Sequence, residues 1–146
     1  MKIVWLILLL TITGFIINVY LSVETYNCIK NKNNVKQKSY IYFVLLIHHF
    51  VFSFYHFGWL FNNTTILFIY LLIPISILLH WSTNGWKCKL SQMINIVCDF
   101  NDSKLFEDLF DIIGLKKKYN LTYAIRQMYI VTVFCIGFYK LKKSNK

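Results

Sequence analysis

The amino-acid sequence predicts an all-α integral membrane protein with four transmembrane helices and one interfacial amphipathic helix, in a single membrane domain over residues 1–146. Three features lead there. Hydrophobic residues make up 57% of the chain and charged residues only 15%, with a mean hydropathy of +0.50. A water-soluble domain of this size buries only roughly two-thirds of its chain surface, so it needs a polar coat that this composition does not supply. The apolar residues gather into four long runs parted by polar, lysine-bearing stretches, and only one proline interrupts the chain. Helices suit such runs, because in lipid the backbone must satisfy its own hydrogen bonds. The same figures exclude a disordered chain, a collagen-like chain and a coiled-coil rod.

The first run, Ile3–Val23, carries no charge and is long enough to cross a hydrocarbon core of ~30 Å at ~1.5 Å per residue. Lys2 imitates the start of a signal peptide. The apolar stretch exceeds the roughly 7–15 residues of such a peptide and no A-x-A site follows, so an anchor is expected. Glu24–Ser39 reads as a polar loop holding Lys30, Lys32, Lys36 and Lys38. The second span, Tyr40–Phe61, is aromatic and contains His48, His49 and His56. Asn62-Asn63-Thr64 forms a turn into the third span, Thr65–Trp81, making an antiparallel hairpin whose second arm is kinked by Pro74.

The connection Ser82–Leu121 is too long to lack structure of its own. Within it, Ser103–Ile113 places Leu105, Leu109 and Ile113 on one stripe, with Glu107, Asp108 and Asp111 largely opposite. Asp102 or Ser103 can cap its start and Gly114 can end it. Lys116, Lys117 and Lys118 follow at the carbonyl end, where cations are favoured. This amphipathic helix lies on the membrane surface or packs on the bundle. Simple packing is the plainer role, and membrane sensing or partner docking the sharper one. The fourth span is Thr122–Phe138, with Arg126 placed to snorkel near its start, and the tail Lys140–Lys146 is basic.

Four spans leave both termini on one side. The loops 24–39 and 82–121 hold ten basic residues, and Lys2 with the tail lysines gives five. The positive-inside rule then makes both large loops cytoplasmic and sends the termini to the opposite side. Asn62, Asn63, Asn101 and Asn120 each open a glycosylation pattern, but such patterns arise by chance in an Asn-rich chain, and the last two are cytoplasmic in this topology.

The net charge of +10 comes from 16 basic and six acidic residues, and only Arg126 among the 16 is arginine. Ile, Asn, Lys, Tyr and Phe are all abundant, as A/T-rich coding dictates. Nucleic acid is not an expected partner, because Arg forks and a clustered basic face are missing. The bilayer, a second copy of the chain or other membrane proteins are the expected ones.

The four cysteines form no CxxC and no zinc-finger spacing. Cys88 and Cys98 share one loop and can pair only in an oxidising compartment. Cys135 sits in an apolar run as inert packing. Polar groups inside a membrane ask for a reason, and three readings compete for the histidines. In one, His48, His49 and His56 hold a haem or metal between helices, although His48 and His80 lie at different depths. In another, Cys88 is a nucleophile, His80 its base and Asn84 the group that orients the imidazole. In the plainest, the imidazoles hydrogen-bond between helices, Trp81 and Trp86 join an interfacial belt, and neither a cofactor nor a metal is bound. No Walker A, GxSxG, HExxH or TVGYG motif is present.

His48-His49 in an aromatic helix, Gly58-Trp59-Leu60-Phe61 at its end, then His80-Trp81-Ser82-Thr83-Asn84, Cys88-Lys89-Leu90-Ser91, Cys98 and a Phe-rich acidic helix resemble a group of small uncharacterised membrane proteins of large nucleocytoplasmic DNA viruses. The pattern HW-x-T-N-x-x-x-C-x-L-[ST] carries most of the likeness, which covers about residues 40–115. Ser91 stands where Thr is commoner in that pattern. The resemblance implies a four-helix membrane architecture and no particular activity. The expected function is therefore a non-enzymatic viral or membrane structural or interaction component, sited in a viral envelope or inner membrane or in host endomembrane. A small intramembrane enzyme or redox protein with a His/Cys site is the alternative. An oligomeric pore is a third reading, without a charged or carbonyl-lined filter to support it.

Overall fold

The computed structural model describes residues 2–84, 88–100 and 119–144, and every regular element among them is helical. The elements are α1 (Lys2–Leu21), α2 (Val23–Asn31), α3 (Val35–Phe57) with a 3-10 turn at Gly58–Leu60, α4 (Thr64–Thr83), α5 (Lys89–Val97) and α6 (Tyr119–Ser144). Two of the described helices, Lys2–Leu21 and Val35–Leu60, are long and apolar enough to cross a membrane, and Thr64–Ile77 is a shorter apolar stretch.

The boundaries follow from caps. Ser22 leaves the helical conformation after α1 and its hydroxyl accepts from the Thr25 N–H at 3.4 Å. That cap starts α2 inside what the sequence reads as a polar loop, with Glu24 in its first turn and Lys30 in its last, each charge at the end the helix dipole favours. Asn34 repeats the device, its side-chain oxygen taking the Lys36 N–H at 2.9 Å, so α3 begins at Val35 rather than at Tyr40. Asn63 caps α4 through the Ile66 N–H at 3.0 Å, and α4 continues through Pro74 to Thr83.

The long connection after α4 holds α5, whose Leu90, Met93, Ile94 and Val97 fall on one helical stripe. Its end is a full Schellman motif. Asp99 adopts a left-handed φ of 55°, the Phe100 N–H reaches the Asn95 carbonyl at 2.9 Å and the Asp99 N–H reaches Ile96 at 3.4 Å. Lys32 meets the Asp99 carboxylate at 3.0 Å. The amphipathic helix expected at 103–113 lies outside the described residues. The fourth run, expected at 122–138, sits within the longer α6.

Two packing centres organise these helices. At one, α1 lies along α3, and α2 and α5 close over them. Val19, Cys28, Ile29, Ile41, Val44, Leu45, Ile94 and Cys98 are its buried residues. Cys28 and Cys98 form a disulfide across 70 residues of sequence. Cys98 therefore does not pair with Cys88, the partner its loop offers. The nine residues of α5 hold those two sulfurs at opposite ends of a helix, about 15 Å apart at ~1.5 Å per residue.

At the other centre α4 packs on α6, and Tyr70 is fully buried between two glycines. A Cβ on Gly58 would stand 2.5 Å from its ring and one on Gly137 2.9 Å, so the close approach requires glycine on both sides. Lys140 of α6 closes this end. Its ammonium donates to the carbonyls of Trp59, Leu60 and Phe61 at 3.0, 3.3 and 2.9 Å, groups left over where the 3-10 turn stops.

Candidate functional site

The site is built by α5 lying on α3. The stripe Leu90, Ile94 faces Ile41, Val44 and Leu45, which runs α5 back along α3 and carries its first residue towards His48. Cys88 is that N-cap residue, with an extended backbone, and it is half-buried and outside any disulfide. His48 of α3 and Ser91 of α5 are the neighbours that act on the charge of its sulfur.

Opposed effects set the charge of the thiol. Burial pushes its pKa up. The His48 hydrogen bond, the Ser91 N–H, the charge on His48 and the Ser91 hydroxyl outweigh burial, and the pKa falls from 9.0 to about 7. A helix N-terminus and an imidazole together are the surroundings that make a cysteine reactive. The arrangement can hold a thiolate at neutral pH, move its proton to His48 and direct the sulfur at an electrophile.

His49 stands behind this pair, its ring edge-on to that of His48 at 5.5 Å. It is buried and packs on α1, where a Cβ on Gly14 would lie 2.8 Å from its Nδ1. Among the described residues its Nε2 is buried without a hydrogen-bond partner, as is that of His80.

The thiol reading of the sequence paired Cys88 with His80 through Asn84. The structure brings His48 to the sulfur instead, because α5 docks on α3. Asn84 gives its amide to Gln92 of α5 at 2.9 Å, which ties the end of α4 to the helix carrying the thiol. Ser82 and Thr83 turn back on α4, their hydroxyls donating to the carbonyls of Leu79 and His80 at 2.8 to 3.1 Å. Much of the HW-x-T-N stretch is thus spent ending a helix.

His56 belongs to another part of the molecule. Its Nδ1 bonds to the Phe52 carbonyl at 2.8 Å, and its ring lies against Phe52 and stacks on Tyr129 with centroids at 4.0 and 5.5 Å. Its own carbonyl accepts from Trp59 Nε1 and from the Tyr129 hydroxyl, both at 2.9 Å. It joins α3 to α6 and does not converge with His48 and His49. Among the described residues no group of three His, Cys, Asp or Glu side chains is placed to hold a metal ion.

Sequence reasoning missed His48 as the partner of Cys88. The signal was the apolar stripe of α5, which demands a helix to lie on. A shallow cleft of about 380 Å³ opens beside the disulfide, between Glu24, Lys32 and Asp99. No protein-family model matches the chain, and no curated protein and no solved structure matches it either.

Proposed function

We propose that the chain is a four-span integral membrane protein, a structural or interaction component of its membrane, in which α1, α3, α4 and α6 cross the bilayer and α2 with α5 forms a stapled cap on one face. The polarity of α1 carries this reading. Its buried stripe includes Thr11 and Asn18, while Trp5, Leu9, Ile12, Ile16 and Tyr20 point outward. The facing stripe of α3 buries His49 and Ser53. Small and polar residues between helices, with large apolar ones outside, suit lipid as the solvent and would expose an apolar patch far too large for water.

The staple supports the crossing pattern. Cys28 follows α1 and Cys98 precedes α6, so a bond between them puts both connections on the same face, as two crossings by α3 and α4 require. It also bears on orientation. Disulfides persist in oxidising compartments, which favours a luminal or exoplasmic cap and reverses the orientation drawn from charge. The lysine excess follows the composition of the whole chain, whereas the sulfur pair depends on the redox state of one side. The likeness of His80–Ser91 to proteins of large DNA viruses supports a viral membrane, or host endomembrane remodelled by such a virus, as the setting.

Sealed microsomes test the proposal. After reduction with a permeant phosphine, an impermeant maleimide is expected to reach Cys28 and Cys98 only when the membrane is opened, and alkaline carbonate is expected to leave the protein in the pellet. Labelling in intact vesicles would overturn the orientation. Release into carbonate would overturn the spanning architecture.

A further inference from the structure

We propose that the cleft between the turn after α3 and the last turns of α6 binds the phosphate headgroup of an anionic phospholipid, with Lys143 as its ion-pair partner. The cleft has a volume of about 340 Å³ and is lined by Asn62, Leu67, Tyr139, Lys140 and Lys143. Lys140 is its fixed wall. That ammonium donates to the carbonyls of Trp59, Leu60 and Phe61. An ammonium has three donors, so Lys140 gives the cleft positive charge and no further hydrogen bond. Lys143 stands one turn on, on the same face of α6, and is exposed. With the Asn62 amide and the Tyr139 hydroxyl it supplies the kind of donors that a phosphate ester accepts.

No carboxylate of the adjoining helices answers these charges. The six acidic residues of the chain lie at position 24 and between 99 and 111, and α3, α4 and α6 contain none. Residues 99–111 precede α6, and Lys140 stands roughly 30 Å along that helix from its start at Tyr119, at ~1.5 Å per residue. An anion is the ligand that fits this surplus. A lipid is its source, because the bundle is apolar outside at this level. Gly137 packs on Tyr70, and beside those two positions α6 exposes Phe138 and α4 exposes Phe68 and Ile69, a flank for acyl chains. Exposed Tyr139 suits the interfacial belt. The site rests on the spanning architecture and orientation proposed above. With the disulfide-bonded cap luminal, the cleft faces the cytoplasmic leaflet, where anionic lipids gather and basic pockets between membrane helices hold their headgroups.

The test titrates the full chain, its disulfide intact, in a non-ionic detergent with phosphatidylglycerol or phosphatidylcholine, and counts bound lipid by native mass spectrometry. Phosphatidylglycerol is expected to bind several-fold more tightly. Lys143→Gln should weaken it about fivefold, the worth of one lysine near an anionic surface, and leave phosphatidylcholine unchanged. Lys36→Gln removes an exposed lysine at the other end of α3 and should change neither. Equal affinity for the two lipids overturns the proposal, and so does an equal loss in the two variants. In the wild type, added salt should erode the preference, and a preference indifferent to salt overturns the proposal without any variant. Glycerol 3-phosphate at the concentration of the lipid should not displace it. Displacement would overturn the lipid as occupant in favour of a soluble phosphate ester. Absence of the preference in a protein that alkaline carbonate leaves in the pellet sinks the headgroup site alone. A preference kept by a protein that carbonate releases sinks the spanning architecture alone.

Discussion

Gly14 and His49 set the spacing between α1 and α3. The glycine leaves room for a buried imidazole that any larger residue would strike, since a Cβ would lie 2.8 Å from Nδ1. Gly14→Val should cost about 1–3 kcal/mol by overpacking, seen as a lower melting temperature in detergent. His49→Ala should restore most of that loss in the double variant, because it removes the ring the valine strikes. Failure of the rescue would show that the strain lies in the backbone. Cys88 gives a second expectation at this scale. Its folded pKa is about 7 against 9.0, so between those values the unfolded thiol binds more protons than the folded one, and stability rises with pH. The contribution is complete above pH 9 and lost as pH falls through 7. The melting temperature of the wild type minus that of Cys88→Ala should therefore grow between pH 7 and pH 9. The His48–Cys88 pair was illegible in the sequence for a definite reason. The two residues lie 40 positions apart, and depth arguments along α3 and α4 compare His48 with His80 while leaving α5 out. Cys88 itself was visible as a candidate nucleophile, because it follows His80 and Asn84 closely in the chain.

Elements were legible wherever a continuous apolar run specified them. Ile3–Val23 and Tyr40–Phe61 map onto α1 and α3 with shifts of a few residues, and those shifts come from caps such as Asn34, whose effect depends on one hydrogen bond. The polar helix α2 was missed because its signal is Ser22 and little else. Helix α5 was missed although Leu90, Met93, Ile94 and Val97 show the helical spacing, because the more acidic stretch after residue 102 drew the assignment. Lys140 was read only as a tail charge, whereas it joins α6 to the end of α3. Lys140→Met should leave three carbonyls without their donor and cost about 1–3 kcal/mol, discounted for partial exposure. Limited proteolysis should then cut α6 sooner than the rest, and Lys140→Arg should retain part of the protection. Unchanged cleavage would mean that Tyr70 and its flanking glycines hold α6 unaided.

At the scale of the whole molecule, composition makes the helical class readable from the chain alone, and it is the ground on which the membrane setting is proposed. The pairing of helices was not, because apolar runs of similar length carry no address. The addresses are Gly14 with His49, Tyr70 with Gly58 and Gly137, and Cys28 with Cys98. The last of these also changes the connectivity of the protein. With residues 28 and 98 joined, α3, α4 and α5 lie inside a covalent circuit, and the polypeptide has a closed ring with two free arms. In the proposed topology that ring passes out through the bilayer and returns. A protease that cuts the short turn at 61–63 therefore opens the ring without dividing the molecule. The nicked protein should run as one species under non-reducing denaturation and separate into two only when the disulfide is reduced. A single cut there leaves the membrane holding everything it held before.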